Sequence, residues 1–145
     1  MNKVLALGSD HAGYELKEFL KKYLSDKGFE IIDFGTNSDK SIDYPDIAHP
    51  VAKAVNDAEI ETGILICGSG NGVSIVANKY PNVRAVLCWM GEVAELGRRH
   101  NNANILSLPA RFISFEESIK IVDLFLSTPF EGGRHQTRID KISKN

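Results

Sequence analysis

The 145-residue sequence predicts an α/β fold: one domain on a five-stranded parallel sheet with helices on both faces. Three observations predict it. Short, uninterrupted apolar runs recur along the chain, as in strands buried on both faces. Segments with apolar residues at helical spacing stand between them. The runs end in Gly, Ser, Asp or Pro, residues that turn a strand toward a helix.

Residues 4–7 are the first run and end at Gly8-Ser9-Asp10-His11, which makes them the first strand. From Tyr14 the period changes: Leu16, Phe19, Leu20, Tyr23 and Leu24 fall on one face, with Gly28 as a stop signal for this helix. Residues 29–34 read as the second strand, followed by a polar stretch from Gly35 to the turn pair Tyr44-Pro45. Asp46 is a candidate cap for the next helix, with Ile47, Val51, Ala54 and Val55 on its apolar side. Pro50 fits there only within the first turn. Residues 64–67 are the third strand, and a glycine-rich segment leads to a helix over about residues 73–79. Strand 85–89, a helix over about 92–100, strand 105–108 and a last long helix carrying Phe115, Ile119, Val122, Leu124, Phe125 and Leu126 complete the alternation. The pattern implies a doubly wound, Rossmann-like sheet.

At this length the fold buries enough surface to need neither disulfides nor a structural metal, and two cysteines do not make a secreted scaffold. A net charge of -2 removes the broad positive surface that nucleic acid requires. The chain opens without a charged leader or cleavage site, and no apolar run approaches a membrane span. The expectation is a cytoplasmic protein with neither nucleic acid nor membrane as partner. Residues 131–145 form a basic tail, with Arg134, Arg138, Lys141 and Lys144 against Glu131 and Asp140.

In an open parallel sheet ligands bind beyond the carboxyl ends of the strands, which directs attention to Asp10-His11, Cys67-Gly68-Ser69 and Pro109-Ala110-Arg111. The glycines fail as a nucleotide fingerprint. Gly68-Ser69-Gly70-Asn71-Gly72 is followed by Val73 where the dinucleotide motif needs Gly, and Gly8 to Gly13 lacks the Lys-Ser/Thr of a phosphate loop. What remains is a set of exposed amides suited to an anion or a developing oxyanion, or equally a tight strand-to-helix turn.

Cys67 stands between strand and amides, where a thiolate could serve as base or nucleophile; a small buried hydrophobe is the competing reading. Cys88, in mid-strand, reads as core. His49 reads as surface or capping. His100, followed by Asn101-Asn102-Ala103-Asn104, could move a proton near neutral pH or act as a helix-terminal cation. Arg134 and Arg138 share a face if the tail is helical and could grip one phosphate, though ordinary surface charge has the same spacing. No metal-ligand motif appears.

Gly8-Ser9-Asp10-His11-Ala12-Gly13, Asp43-Tyr44-Pro45, Cys67-Gly68-Ser69-Gly70-Asn71-Gly72, Ala77-Asn78-Lys79, Arg99-His100-Asn101 and Glu131-Gly132-Gly133-Arg134-His135 together resemble the cofactor-free B-type ribose-5-phosphate isomerases. The resemblance implies aldose–ketose interconversion through an enediolate. By it, Cys67 is the base, His100 with Asp10 opens the furanose ring, and Ser69 with the amides of Gly68, Gly70, Asn71 and Gly72 holds the enediolate oxygens. It also assigns phosphate to His11, Arg134 and Arg138 with Arg111 assisting, and sugar contacts to Tyr44 and Asn101. One branch of that family replaces the Cys by a Glu at the position of Val73, and Val73 has no proton to move, so the resemblance leaves the task to Cys67. Many Cys-containing members carry Thr where Ser69 stands; either keeps a hydroxyl. The resemblance further implies no cofactor, no metal, and a homodimer or paired dimers with the site shared across the interface, His100, Asn101 and Arg111 reaching a neighbour's pocket. The competing functions are the same chemistry on allose or galactose 6-phosphate, a non-catalytic sugar-phosphate sensor, and a cysteine hydrolase. Galactose-6-phosphate isomerases divide these residues between two different subunits, whereas this one chain has Asp10, His11, Cys67, His100 and Arg134.

Overall fold

The computed structural model describes residues 2–143, so Lys144 of the basic tail lies outside the described residues. Five strands, β1 (Val4–Ser9), β2 (Glu30–Asp33), β3 (Thr62–Cys67), β4 (Ala85–Leu87) and β5 (Ile105–Pro109), pair in the order β2-β1-β3-β5-β4, all parallel. Helices α1 (Tyr14–Asp26), α4 (Gly91–Asn101) and α5 (Phe115–Ser127) cover one face. Helices α2 (Pro45–Asn56) and α3 (Asn71–Ala77) cover the other, and α6 (Arg134–Asp140) packs on α4.

Side chains alternate between the two faces of the inner strands. Leu5, Leu7, Ile64, Ile66, Leu106 and Leu108 meet Leu16, Leu20, Leu24, Ile121, Val122 and Phe125 on one side. Ala6, Leu65 and Ile105 meet Val51, Val55, Val73 and Ala77 on the other. Each fully buried Leu, Ile or Phe contributes about 1.5–3 kcal/mol. The chain leaves β1 toward β2 on one side and toward β3 on the other, so the crevice between the carboxyl ends of β1 and β3 is the topological switch point.

Lys17 is fully buried and its ammonium lies 2.7 Å from Asp33 at the end of β2. Burial alone would raise the Asp33 carboxyl, but hydrogen bonds from Lys17, the Gly35 N–H and Lys21 hold it below the usual carboxylate range. This strut fixes Gly35 and Thr36, which exchange backbone hydrogen bonds with Ser9 at 2.7 and 2.8 Å, directly beside the switch point.

The local differences from the sequence reading have physical causes. Helix α2 begins earlier than expected: Tyr44 is its N-cap and Pro45 its first residue, where no N–H is needed. Asp46 is therefore in the first turn rather than at the cap. Pro50 lies inside the helix, not in its first turn; Pro50 and Asp46 are both exposed, so water can take the freed carbonyl. Strand β2 is shorter than residues 29–34, and β4 ends at Leu87, leaving Cys88 just beyond the strand. Both are edge strands with partly exposed side chains, where apolar pattern marks ends poorly. Helix α5 starts on a capping box that the apolar pattern did not reveal: Ser114 accepts from the Glu117 N–H, and Glu117 accepts from the Ser114 N–H.

Candidate active site

The switch point gathers the first group of candidate residues. The Asp10 N–H bonds the Ile66 carbonyl at 3.1 Å, joining β1 to β3 one residue before Cys67. The buried Asp10 carboxylate accepts the Gly13 N–H at 3.1 Å, capping a 3-10 turn over His11–Gly13. His11 Nδ1 accepts the Ile42 N–H at 3.3 Å, so the neutral ring carries its proton on Nε2.

Cys67 ends β3 with its side chain buried among the α2 and α3 contacts, and the Gly70 N–H reaches its sulfur at 3.1 Å. That contact requires Gly70 at φ +78°, a left-handed conformation; a Cβ there would also collide with the Leu87 side chain. Ser69 Oγ accepts the Asn71 N–H at 3.2 Å, which leaves its own proton to donate. A Cβ on Gly68 would lie 3.0 Å from Arg111 Nη1, and one on Gly72 would lie 2.5 Å from the Tyr44 ring, so Arg111 and Tyr44 flank this loop. A groove of about 560 Å³ opens beside it, lined by Ser69, Asn71, Leu87, Trp89, Pro109 and Phe112. A larger hollow, about 640 Å³, lies beside Asn56, Glu59, Glu61 and Arg84 and contains none of these groups.

The second group lies at the opposite edge of the sheet. Helix α4 leaves the carboxyl end of β4 and returns to the amino end of β5, so His100 and Asn101 at its last turn are beneath the sheet, away from Cys67. Helix α6 joins them there: the His100 and His135 rings stack at 4.2 Å, 11° from parallel. The tail is helical, as the Arg134–Arg138 reading required, and both arginines are exposed. The Asn101 carbonyl accepts Arg84 Nε–H at 3.0 Å. Glu131 is bound by Arg99 at 2.8 Å. Burial alone would raise the Glu131 carboxyl, but the Arg99 hydrogen bond and charge outweigh it and hold it below the usual range.

Within one chain, then, Asp10, His11, Tyr44, Cys67, Gly68, Ser69, Gly70, Asn71, Gly72 and Arg111 share the carboxyl rim. His100, Asn101, Arg134 and Arg138 share the amino rim. Arg111 stands beside the Cys67 loop of its own chain. Sequence reasoning did not group Glu131 with His100 and a buried His135; the Glu-x-x-x-His spacing was the available signal. Donor atoms of His100, Glu131 and His135 lie within 4.8 Å of one another. Parallel stacked rings cannot aim their in-plane lone pairs at one ion, and Arg99 already occupies Glu131 Oε1, so this arrangement does not suit a metal. Burial pushes the Cys88 thiol up to about 12, consistent with a core residue. His49 is exposed on α2, its Nδ1 2.7 Å from the Tyr80 hydroxyl.

A doubly wound sheet with a thiol, a hydroxyl and amides at its switch point defines an α/β protein whose carboxyl rim has the donors to hold a small anionic ligand. The family model described as Ribose/Galactose Isomerase matches residues 5–142, and the chain belongs to that family, whose members are isomerases. It is 45% identical over 141 residues to ribose-5-phosphate isomerase B of Escherichia coli, covering 97% of this chain and 95% of that one. The structure of a ribose 5-phosphate isomerase from Thermotoga maritima is similar at a TM-score of 0.96, with 53% identity and 98% of each chain covered. That of ribose-5-phosphate isomerase B from Mycoplasma genitalium with bound ribulose-5-phosphate gives 0.92, with 48% identity over 96% of this chain and 93% of the other. Among the described residues no helix is long and apolar enough to cross a membrane.

Proposed function

We propose that this chain interconverts ribose 5-phosphate and ribulose 5-phosphate through an enediolate, without a cofactor. The observation that carries the reading is the Cys67 sulfur at the carboxyl end of β3, bonded by the Gly70 N–H and adjacent to Asp10. Opening the furanose breaks the C1–O4 bond: the C1 hydroxyl loses a proton, O4 gains one, and an aldehyde results. His100 and Asp10 serve this step. Cys67, as thiolate, takes the C2 proton, and the electron pair moves toward the carbonyl so that negative charge gathers on O1. Ser69 and the amides of the Gly68–Gly72 loop meet that charge, which appears fully only as the proton leaves. Return of the proton to C1, with O1 gaining and O2 losing one, yields the ketose. His11, Arg111, Arg134 and Arg138 bind phosphate, and Tyr44 and Asn101 contact the sugar.

These roles need two chains. The amino-rim residues lie across the sheet from Cys67, so a homodimer in which each chain lends His100, Asn101, Arg134 and Arg138 to its neighbour's carboxyl rim completes the site.

The test is conversion of ribose 5-phosphate by purified protein in a chelator, wild type against Cys67→Ala. Activity in the wild type alone supports the reading. A folded but inactive wild type moves the substrate to a six-carbon sugar phosphate, tested next, and then to a binding-only sensor.

A further inference from the structure

The turn at Gly132 (φ +72°) and Gly133 (φ +58°) sets Glu131 beside His135 at the start of α6. The His135 side chain is only 6% exposed. Its Nε2 is 3.3 Å from Glu131 Oε2 but makes no aligned hydrogen bond, a cost that a Phe in the same place would spare. On the solvent side the half-exposed His100 ring lies flat against it. Glu131 Oε1 is 4.0 Å from His100 Nε2, and the Glu131 N–H bonds the Arg99 carbonyl at 3.1 Å, so carboxylate and both rings are tied to the end of α4.

The charged groups around this stack are Arg99 and Glu95 on α4, Arg134 and Arg138 on α6, and Glu131 between them. Burial first, then the facing His100 and Arg134, hold the His135 imidazole below its ordinary range, with Glu131 opposing. A neutral, buried, flat ring makes a platform that does not repel His100 when His100 carries a proton.

We infer that His135 is a positioning residue: its ring fixes the plane of the His100 imidazole, and Glu131 ties the pair to Arg99. The inference rests on the ring-opening role proposed for His100. It separates two reactions. Ribose 5-phosphate must be opened before its C2 proton can be taken. Ribulose 5-phosphate has no ring to open, because O5 is phosphorylated and no other hydroxyl can close a five- or six-membered ring on C2.

His135→Leu fills the volume without a flat ring, and His135→Phe keeps the flat ring without nitrogens. Each is assayed for turnover of ribose 5-phosphate and for wash-in of solvent deuterium at C1 of ribulose 5-phosphate. His135→Leu is expected to lose about tenfold or more in turnover of the aldose while exchange on the ketose stays within about twofold of wild type. His135→Phe is expected to recover most of the lost turnover. Should His135→Leu not fold, His135→Gln replaces it with the same expectation. Equal losses in both reactions, or a Phe variant no better than its non-aromatic counterpart, overturn the inference. A wild type inactive in both reactions overturns instead the reading on which it rests.

Discussion

The two rims of the sheet hold their polar groups in opposite ways. At the carboxyl rim the side chains are bonded by backbone: Asp10 accepts from Gly13, His11 from Ile42, Cys67 from Gly70 and Ser69 from Asn71. At the amino rim the bonds run between side chains, Arg99 to Glu131 and Glu95, while Arg134 and Arg138 have no ion-pair partner among the described residues. Groups held by backbone were ordered when the chain folded and need no reorganisation when charge develops on a substrate. Unpartnered arginines on a short helix are free to close on a phosphate. The difference teaches that on the proposed reading the C2 base and the oxyanion donors are fixed at one rim, while His100 and the reaching arginines stand at the other, so that reading needs a second chain to bring them together.

The largest expected effect removes the fixed chemistry. Cys67→Ala should lower kcat by about 10²–10⁴, the usual worth of a positioned base, with phosphate binding largely kept; isothermal titration with ribose 5-phosphate checks the second half. Next comes the division between rims. Cys67→Ala and His100→Ala chains should each be nearly inactive, yet refolded together at random they should regain about a quarter of wild-type activity, because half the dimers carry one intact site. No recovery, with mixed dimers shown by native mass spectrometry, would place both residues in the site of a single chain. A smaller effect is expected at the reaching groups: Arg134→Ala should raise KM by about tenfold, the loss of one charge-assisted contact, with a lesser fall in kcat. Equal, mild effects from Cys67→Ala and Arg134→Ala would erase the contrast.

The carboxyl rim was legible in the sequence because the inner strands announce themselves. Val4 to Leu7 and Ile64 to Cys67 are apolar on both faces, and the rule that ligands meet the carboxyl ends of parallel strands leads directly to Asp10, His11, Cys67 and Ser69. Edge strands carry less signal, since Glu30 and Ile32 are partly or fully exposed and the β2 pattern blurs at its ends. The amino rim was legible only residue by residue. Nothing in local pattern says that a Gly-Gly turn folds α6 onto α4, so the His100–His135 stack and the Arg99–Glu131 pair emerge only from packing. Pro50 misled for a related reason: its helical cost is real, but Asp46 is an exposed residue whose carbonyl can turn to water instead.

The smallest effect sharpens the comparison without any substrate. His135 has an ordinary value of 6.5, and burial first, with His100 and Arg134 after it, lowers that value in the folded chain against the pull of Glu131. The unfolded chain therefore binds more protons than the folded one as pH falls through this region, so the contribution to stability is complete above 6.5 and is lost as pH drops below it. Asp33, near the other rim, also has a lowered value, but a carboxylate with an ordinary value of 3.8 keeps its contribution until pH falls below that figure. The two windows do not overlap, so thermal melts between about pH 7.5 and about pH 5 should report the amino rim and not the Lys17–Asp33 strut. Wild type should lose Tm across that interval, and His135→Leu should lose less, because the group whose proton affinity changes on folding is gone. An identical slope in both proteins would show that the His135 ring takes up its proton as readily in the fold as outside it, and the neutral platform beneath His100 would have to be abandoned.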